Sequence, residues 1–151
     1  MKVVIVGCGR VGSTLARMLV ERHEVIVVDR TSESFRRLGS KFKGQKVVGP
    51  GTDMDVLRRA GIEGADVFVS VTDGDNRNIM AAQIAKKIFN VPQVFTRIYD
   101  PSRAAAYAEM GIQTLCTTAT AAGLFCDLVE GRRPDAFMDQ LQSYLDIAQK
   151  V

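Results

Sequence analysis

Near its N-terminus the chain reads Gly7-Cys8-Gly9-Arg10-Val11-Gly12, three glycines at G-x-G-x-x-G spacing. Glycines so placed leave the backbone free to do what side chains would obstruct. Gly7 permits a tight turn, Gly9 leaves room for a diphosphate against the backbone, and Gly12 lets a following helix pack closely on the preceding strand. The exposed amides of such a turn, at the positive end of a helix dipole, hold phosphate oxygens. Asp29 follows 22 positions after Gly7, close to the ~20 residues expected for a carboxylate that accepts from ribose hydroxyls. A carboxylate there repels a 2′-phosphate; Arg30, its neighbour, is the one contrary sign. A packing turn followed by a helix-capping aspartate is the bland alternative. The agreement in position of all three parts favours the nucleotide site.

These residues need a strand before the turn and a helix after it. The apolar run from Lys2 to Val6 supplies the strand, and a helical period from Arg10 to about Glu21 (Val11, Leu15, Met18, Leu19) supplies the helix. Further runs are Glu24 to Asp29, a weaker Lys46 to Val48, Asp66 to Val71, Gln93 to Ile98 and Ile112 to Cys116. Helical stretches separate them: one through Phe35 and Leu38 ending near Gly39, and one capped by Asp53 through Val56, Leu57 and Ala60 and closed by Gly61. Another starts at Asp75 or Asn76 with Met80, Ile84 and Ile88 stacked, and one opens at Pro101 and ends at Gly111. Runs that are apolar throughout belong to strands buried on both faces. Alternating with helices, they predict an α/β fold, a Rossmann-like doubly wound parallel six-stranded sheet of order 3-2-1-4-5-6. Thr120 to Glu130 reads as a sixth helix, Gly131 to Pro134 as a turn, and Asp135 onward as a seventh helix with Phe137, Leu141, Leu145 and Ala148 in line. That last helix needs an apolar surface to cover: its own sheet or, the favoured reading, a second copy of the chain.

The 151 residues favour one domain, 46% apolar and 25% charged. The net charge of +3 is scattered in pairs such as Arg36-Arg37 and Arg58-Arg59. No basic stripe interleaves with aromatics, so nucleic-acid binding is not expected. No apolar run approaches the ~20 residues that cross a bilayer, so a cytoplasmic protein without direct membrane insertion is expected. Three cysteines without C-x-x-C spacing argue against a disulfide framework or zinc site. Cys8 reads as a small residue in a tight place in preference to a reactive thiol.

Beyond the glycine turn and Asp29, the chain carries Gly49-Pro50-Gly51-Thr52-Asp53, Leu57-Arg58-Arg59-Ala60-Gly61-Ile62, Ala65-Asp66, Val71-Thr72-Asp73-Gly74-Asp75-Asn76-Arg77-Asn78 and Arg97. In this order the set resembles the TrkA-N domain, also called the N-lobe of RCK (regulator of K⁺ conductance) or KTN domains. The resemblance implies a cytosolic regulatory subunit or domain. It would bind NAD(H) or ATP, ADP or AMP and regulate potassium transport by a membrane transporter or channel subunit, at the inner face of the membrane through that partner. It implies that Arg10 faces the β- or γ-phosphate, that Asp29 holds the ribose and that Gly51, Thr52 and Asp53 lie where adenine is held. Thr72 and Asp73 would lie across the same crevice, Asp75 and Asn78 would open the next helix, and Arg97 would reach phosphate. The bound groups would also include the backbone of Gly7, Cys8, Gly9, Val11 and Gly12, with Arg30 beside the sugar. Thr120 to Val151 resembles the crossover that joins two lobes, so residues 1–131 are expected as the nucleotide-binding domain and 132–151 as a dimerisation helix. A homodimer or a higher ring follows. The family's C-terminal lobe does not appear in this sequence, as in a chain cut at the lobe boundary or a minimal version. Pro50 stands where the family often has Asp, and Thr118-Ala119 where it often has Pro-Glu, which weakens an adenine contact and a metal at the phosphates; no metal site is expected.

The competing class is an NAD-dependent oxidoreductase, which needs an acid or base near the nicotinamide. The single histidine, His23, precedes the second strand, at the end of the sheet opposite the ligand crevice. Tyr99, Tyr107 and Tyr144 are followed four residues on by Arg103, Gly111 and Ala148, so no Tyr-x-x-x-Lys pair exists. Catalysis is not expected. A nucleotide-sensing dimerisation module unrelated to transport shares the same motifs and is the third class.

Overall fold

The computed structural model describes residues 1–108 and 112–132. Six strands, β1 (Lys2–Val6), β2 (Glu24–Asp29), β3 (Gln45–Val48), β4 (Val67–Ser70), β5 (Gln93–Ile98) and β6 (Gln113–Cys116), form one sheet of order β3-β2-β1-β4-β5-β6. Every neighbouring pair is parallel. This is the expected doubly wound order, and it brings all strand C-termini to one edge. Along β1 and β2 the side chains alternate between two cores, as a period of two requires. Val4, Val6, Ile26 and Val28 pack on one face with Leu57, Phe68 and Ala82, while Val3, Ile5, Val25 and Val27 pack on the other with Ala16, Phe35 and Leu38. Each such side chain contributes roughly 1.5–3 kcal/mol by leaving water, so β1 and β2 anchor the site built on their tips.

The helices are α1 (Arg10–Leu19), α2 (Met54–Arg59), α3 (Asp75–Lys87), α4 (Pro101–Ala108) and α5 (Thr117–Val129). Three departures from expectation have local causes. The segment Ser32–Leu38 is a 3₁₀ helix, closed by Gly39 at φ +79°. Its two buried residues, Phe35 and Leu38, are three apart and fall on one face at three residues per turn. In α3 only Ile84 of the expected stack is buried; Met80 and Ile88 are exposed. The buried face is Asn78, Ile79, Ala81, Ala82, Ile84 and Ala85, and its three alanines let the helix pack close to β4 and β5. Val11 is also exposed, at the mouth of the crevice described below. The expected end of α4 at Gly111 and the helix expected from Asp135 lie outside the described residues.

Gly7 has φ +104°, a conformation side chains disfavour. Gly12 is demanded by contact: a Cβ there would lie 1.8 Å from the Gly7 carbonyl oxygen. A Cβ on Gly9 would meet nothing within 4 Å. In urea denaturation Gly12→Ala is therefore expected to destabilise the chain by about 3 kcal/mol or more, and Gly9→Ala by less than about 1 kcal/mol. Equal losses would refute this division of roles.

Candidate functional site

A cavity of about 550 Å³ lies across the C-terminal tips of β2, β1, β4 and β5. Its floor is the turn between β1 and α1. Gly9 caps α1 with no side-chain hydrogen bond, and no acid stands in the helix's first turn. The first amides of a helix have no intrahelical carbonyl, so this N-terminus presents N–H groups and partial positive charge to the cavity. Gly7, Gly9, Arg10 and Val11 line it. The Gly7 amide itself is committed to the Val28 carbonyl at 2.8 Å.

At the tip of β2, Asp29 Oδ2 accepts from the Cys8 amide at 2.7 Å and Oδ1 from the Thr31 amide at 3.1 Å. The Thr31 hydroxyl lies 3.4 Å from Oδ1 as well; a carboxylate has about four acceptor positions, so Oδ2 keeps capacity toward the cavity that Asp29 lines. Arg30 lines it too, as do Gly51 and Thr52 from the loop after β3. Gly51 passes so close to β1 that a Cβ would fall 2.1 Å from Val6 Cγ1.

On the β4 and β5 side, Thr72, Asp73 and Arg97 line the cavity. Arg97 is 8% exposed, so its guanidinium is not a surface charge. It donates from Nη2 to the Thr72 carbonyl at 2.6 Å and stacks over the Tyr99 ring at 4.3 Å. Its Nε, buried, has no protein partner. An orphaned donor behind a cavity wall is an exception to the rule that buried polar groups are hydrogen-bonded. Asp73 pairs with Arg77, whose hydrogen bond and charge hold the carboxyl below its usual range. Around the cavity five arginines (10, 30, 37, 77 and 97) stand against two aspartates, the balance a phosphate-bearing ligand needs.

Three expected site residues stand behind the wall. Cys8 is wholly buried, with its amide on Asp29 and its thiol 3.3 Å from the Ser34 carbonyl. Gly12 serves packing, and Asp53 caps α2 by accepting from the amides of Asp55 and Val56. Asp75 accepts from the amides of Tyr99 and Asp100 and so ties the loop after β5 to α3. Asn78, wholly buried, bonds Thr72 and the Arg97 carbonyl. Thr31, Ser34, Arg37, Arg77 and Tyr99 line the cavity without having been singled out from sequence as ligand-facing. Thr31, Ser34, Arg37 and Tyr99 reach it through the register of the 3₁₀ helix and of the loops, and Arg77 from the first turn of α3, which no local pattern reveals. Among the described residues no cluster of three or more metal-ligating side chains occurs, and no helix is long and apolar enough to cross a membrane.

The TrkA-N domain family model matches residues 3–118. The Trk system potassium uptake protein TrkA of Streptomyces coelicolor is 54% identical over 118 residues, 78% of this chain and 53% of that protein. The chain thus spans about half the length of that relative. Among solved structures, the TrkA-N domain of the Escherichia coli inner membrane protein ybaL superposes with TM-score 0.75 at 19% identity, over 84% of this chain and 95% of that one. GsuK bound to ADP gives TM-score 0.73 at 21% identity over 87% of this chain and 34% of that one. The GsuK channel bound to NAD gives 0.64 at 20% over 76% and 21%. At these identities the likeness to ybaL and GsuK shows the fold.

Burial and the Asp29 carboxylate push the Cys8 thiol up to about 11. At pH 8 only about one in a thousand Cys8 side chains is then the reactive thiolate. A thiol-specific disulfide reagent at that pH is expected to modify Cys126 and Cys116, which are exposed and partly exposed, and to reach Cys8 only after unfolding. Because the folded pKa lies above the ordinary 9.0, the stability Cys8 contributes is full below pH 9 and is lost as pH rises through 11. Three thiols reacting at similar rates in native protein would contradict the burial of Cys8.

Proposed function

The chain belongs to the TrkA-N domain family, and from that membership we propose that it is a cytosolic regulatory domain of a potassium-transport system. In this reading it binds an adenine nucleotide, NAD(H) or ATP, ADP or AMP, in the cavity over β1 and reports its state to a membrane transporter or channel subunit. One observation carries the ligand half: an uncapped helix N-terminus with open space at Gly9, beside a carboxylate at the tip of the adjacent strand. The amides and Arg10 take the phosphates, Asp29 the ribose hydroxyls, and the loop Gly51–Thr52 flanks the base. The transport half draws on the Trk relatives. Residues 1–131 act as the nucleotide-binding domain and residues 132–151 join two copies in a homodimer. The domain is read as regulatory in preference to catalytic from its family and its Trk relatives. A nucleotide shifts a dimer between arrangements only by binding them unequally, which is the form regulation takes here.

Calorimetric titration of the full chain with NAD⁺, NADH, ATP, ADP and AMP tests the reading. At least one is expected to bind well below millimolar. Asp29→Ala is expected to weaken every adenosine ligand at least about tenfold, some 1.4 kcal/mol. Gly9→Ala, which tolerates the methyl group in the fold, is expected to weaken them similarly by filling the phosphate cradle. Equal, millimolar-weak binding of all five by the wild type would reject the function, and unchanged affinity in Asp29→Ala would reject the ribose role.

A further inference from the structure

We propose that the outer face of the 3₁₀ helix Ser32–Leu38 and of β3 is a docking surface for an anionic membrane, which it meets through lipid headgroups and without inserting. The surface lies at the β3 edge of the sheet, and the proposal does not rest on the nucleotide reading above.

Basic residues scattered along the sequence gather here in the fold. Residues 32–46 hold five basic side chains, Arg36, Arg37, Lys41, Lys43 and Lys46, against the single acid Glu33, a surplus larger than the +3 of the whole chain. All five are exposed. Arg36 and Arg37 end the 3₁₀ helix, Lys41 and Lys43 belong to the loop that follows, and Lys46 stands on β3. Register puts Lys46 on the helix's side of the sheet. It pairs with Val27, which packs in one core with Phe35 and Leu38 of that helix, while its neighbour Val47 packs in the opposite core. Lys46 Nζ lies 5.9 Å from the centre of the Phe42 ring, so loop and strand share one surface. Elsewhere exposed arginines are answered by acids: Arg58 by Asp55 and Glu63, Arg77 by Asp73, Arg132 by Asp127. Among the described residues one ion pair reaches this surface, Lys43 with Glu21 at 2.9 Å.

Two simpler causes account for part of this charge. A lysine on an edge strand keeps other strands away, and cations at a helix end suit its dipole. Neither applies to Lys41 and Lys43. The aromatic side chains of the surface turn inward, Phe35 buried and Phe42 half-buried against the core, so nucleic-acid bases find nothing to stack on. An acidic protein would have to match a fixed pattern of charges. Lipid headgroups are mobile and arrange themselves under whatever pattern they meet. A cluster of roughly four to eight Lys and Arg holds a protein segment at such a surface, and this one falls in that range.

Co-sedimentation of the full chain with vesicles tests this. In about 0.1 M salt the chain is expected to bind phosphatidylcholine vesicles carrying about one third phosphatidylglycerol and not vesicles of phosphatidylcholine alone. Raising the salt to about 1 M, where the Debye length is about 3 Å, is expected to release it. Arg37 also lines the nucleotide cavity, so the variant spares it: Arg36→Glu with Lys41→Glu is expected to weaken binding at least about tenfold. Lys86→Glu with Lys87→Glu makes the same change in net charge on α3, which packs on the opposite face of the sheet. That variant is expected to stay within about threefold of wild type, since charges beyond a Debye length are screened. Thermal melts check that both variants fold. Equal loss in the two variants, as net charge alone would cause, overturns the proposal. So does equal binding to both kinds of vesicle, binding to neither, or tighter retention by duplex DNA than by the anionic vesicles.

Discussion

The first helix rests on the first strand through a contact that only bare backbone allows. With no Cβ at Gly12, α1 comes down until that position faces the Gly7 carbonyl oxygen. The approach fixes where the helix begins. Because β1 is buried on both faces and paired on both edges, it also fixes where the helix's free amides point. Asp29 completes the arrangement from the neighbouring strand. Its hydrogen bond from the Cys8 amide ties the glycine turn to the β2 tip, so the turn and the carboxylate are held together as one unit. Parallel pairing adds β4 and β5 at the same edge, and the crevice follows from the sheet.

Much of this was legible in the sequence because double burial leaves a strong signal. The runs at β1, β2 and β4 are apolar almost without alternation, and each became an interior strand. The weak run at Lys46–Val48 became an edge strand whose residues are largely exposed, so the weakness itself was informative. Where the reading missed, helical periodicity misled. Met80, Ile84 and Ile88 make the better apolar stripe, yet of these only Ile84 is buried, and α3 turns it inward together with Ile79 and the alanines 81, 82 and 85. The 3₁₀ helix was not separable from a short α-helix, since its two apolar residues are three apart and fit either period.

The site divides along the same line. Residues that act through backbone, or sit at a strand end, could be placed from spacing alone: Gly7, Gly9, Asp29. Arg97 and Thr72 needed the family resemblance to single them out, and geometry then showed Arg97 to be buried and held. Arg37, Ser34 and Tyr99 carry no local signal, because their approach to the cavity depends on how loops pack across the sheet. Cys8 and Asp53 match the motif in position, but the fold uses them from behind, one to fill the turn and one to start α2.

A ligand spanning β2 to β5 touches strand tips that the sheet holds rigid, so its influence on the rest of the molecule must leave through the loops after those tips. The loop after β4 is clamped to the start of α3 by Asn78, and the loop after β5 is clamped to the same helix by Asp75. Both clamps therefore meet on one element. Beyond β5 lie β6 and then α5, a helix with no buried residue among those described. The loops after β4 and β5 are thus bound to one helix, while Asp29 is bound to the glycine turn. Under the regulatory reading, a ligand shifts two states only by binding them unequally, and the loops after β4 and β5, tied to one helix, are the route by which it would do so.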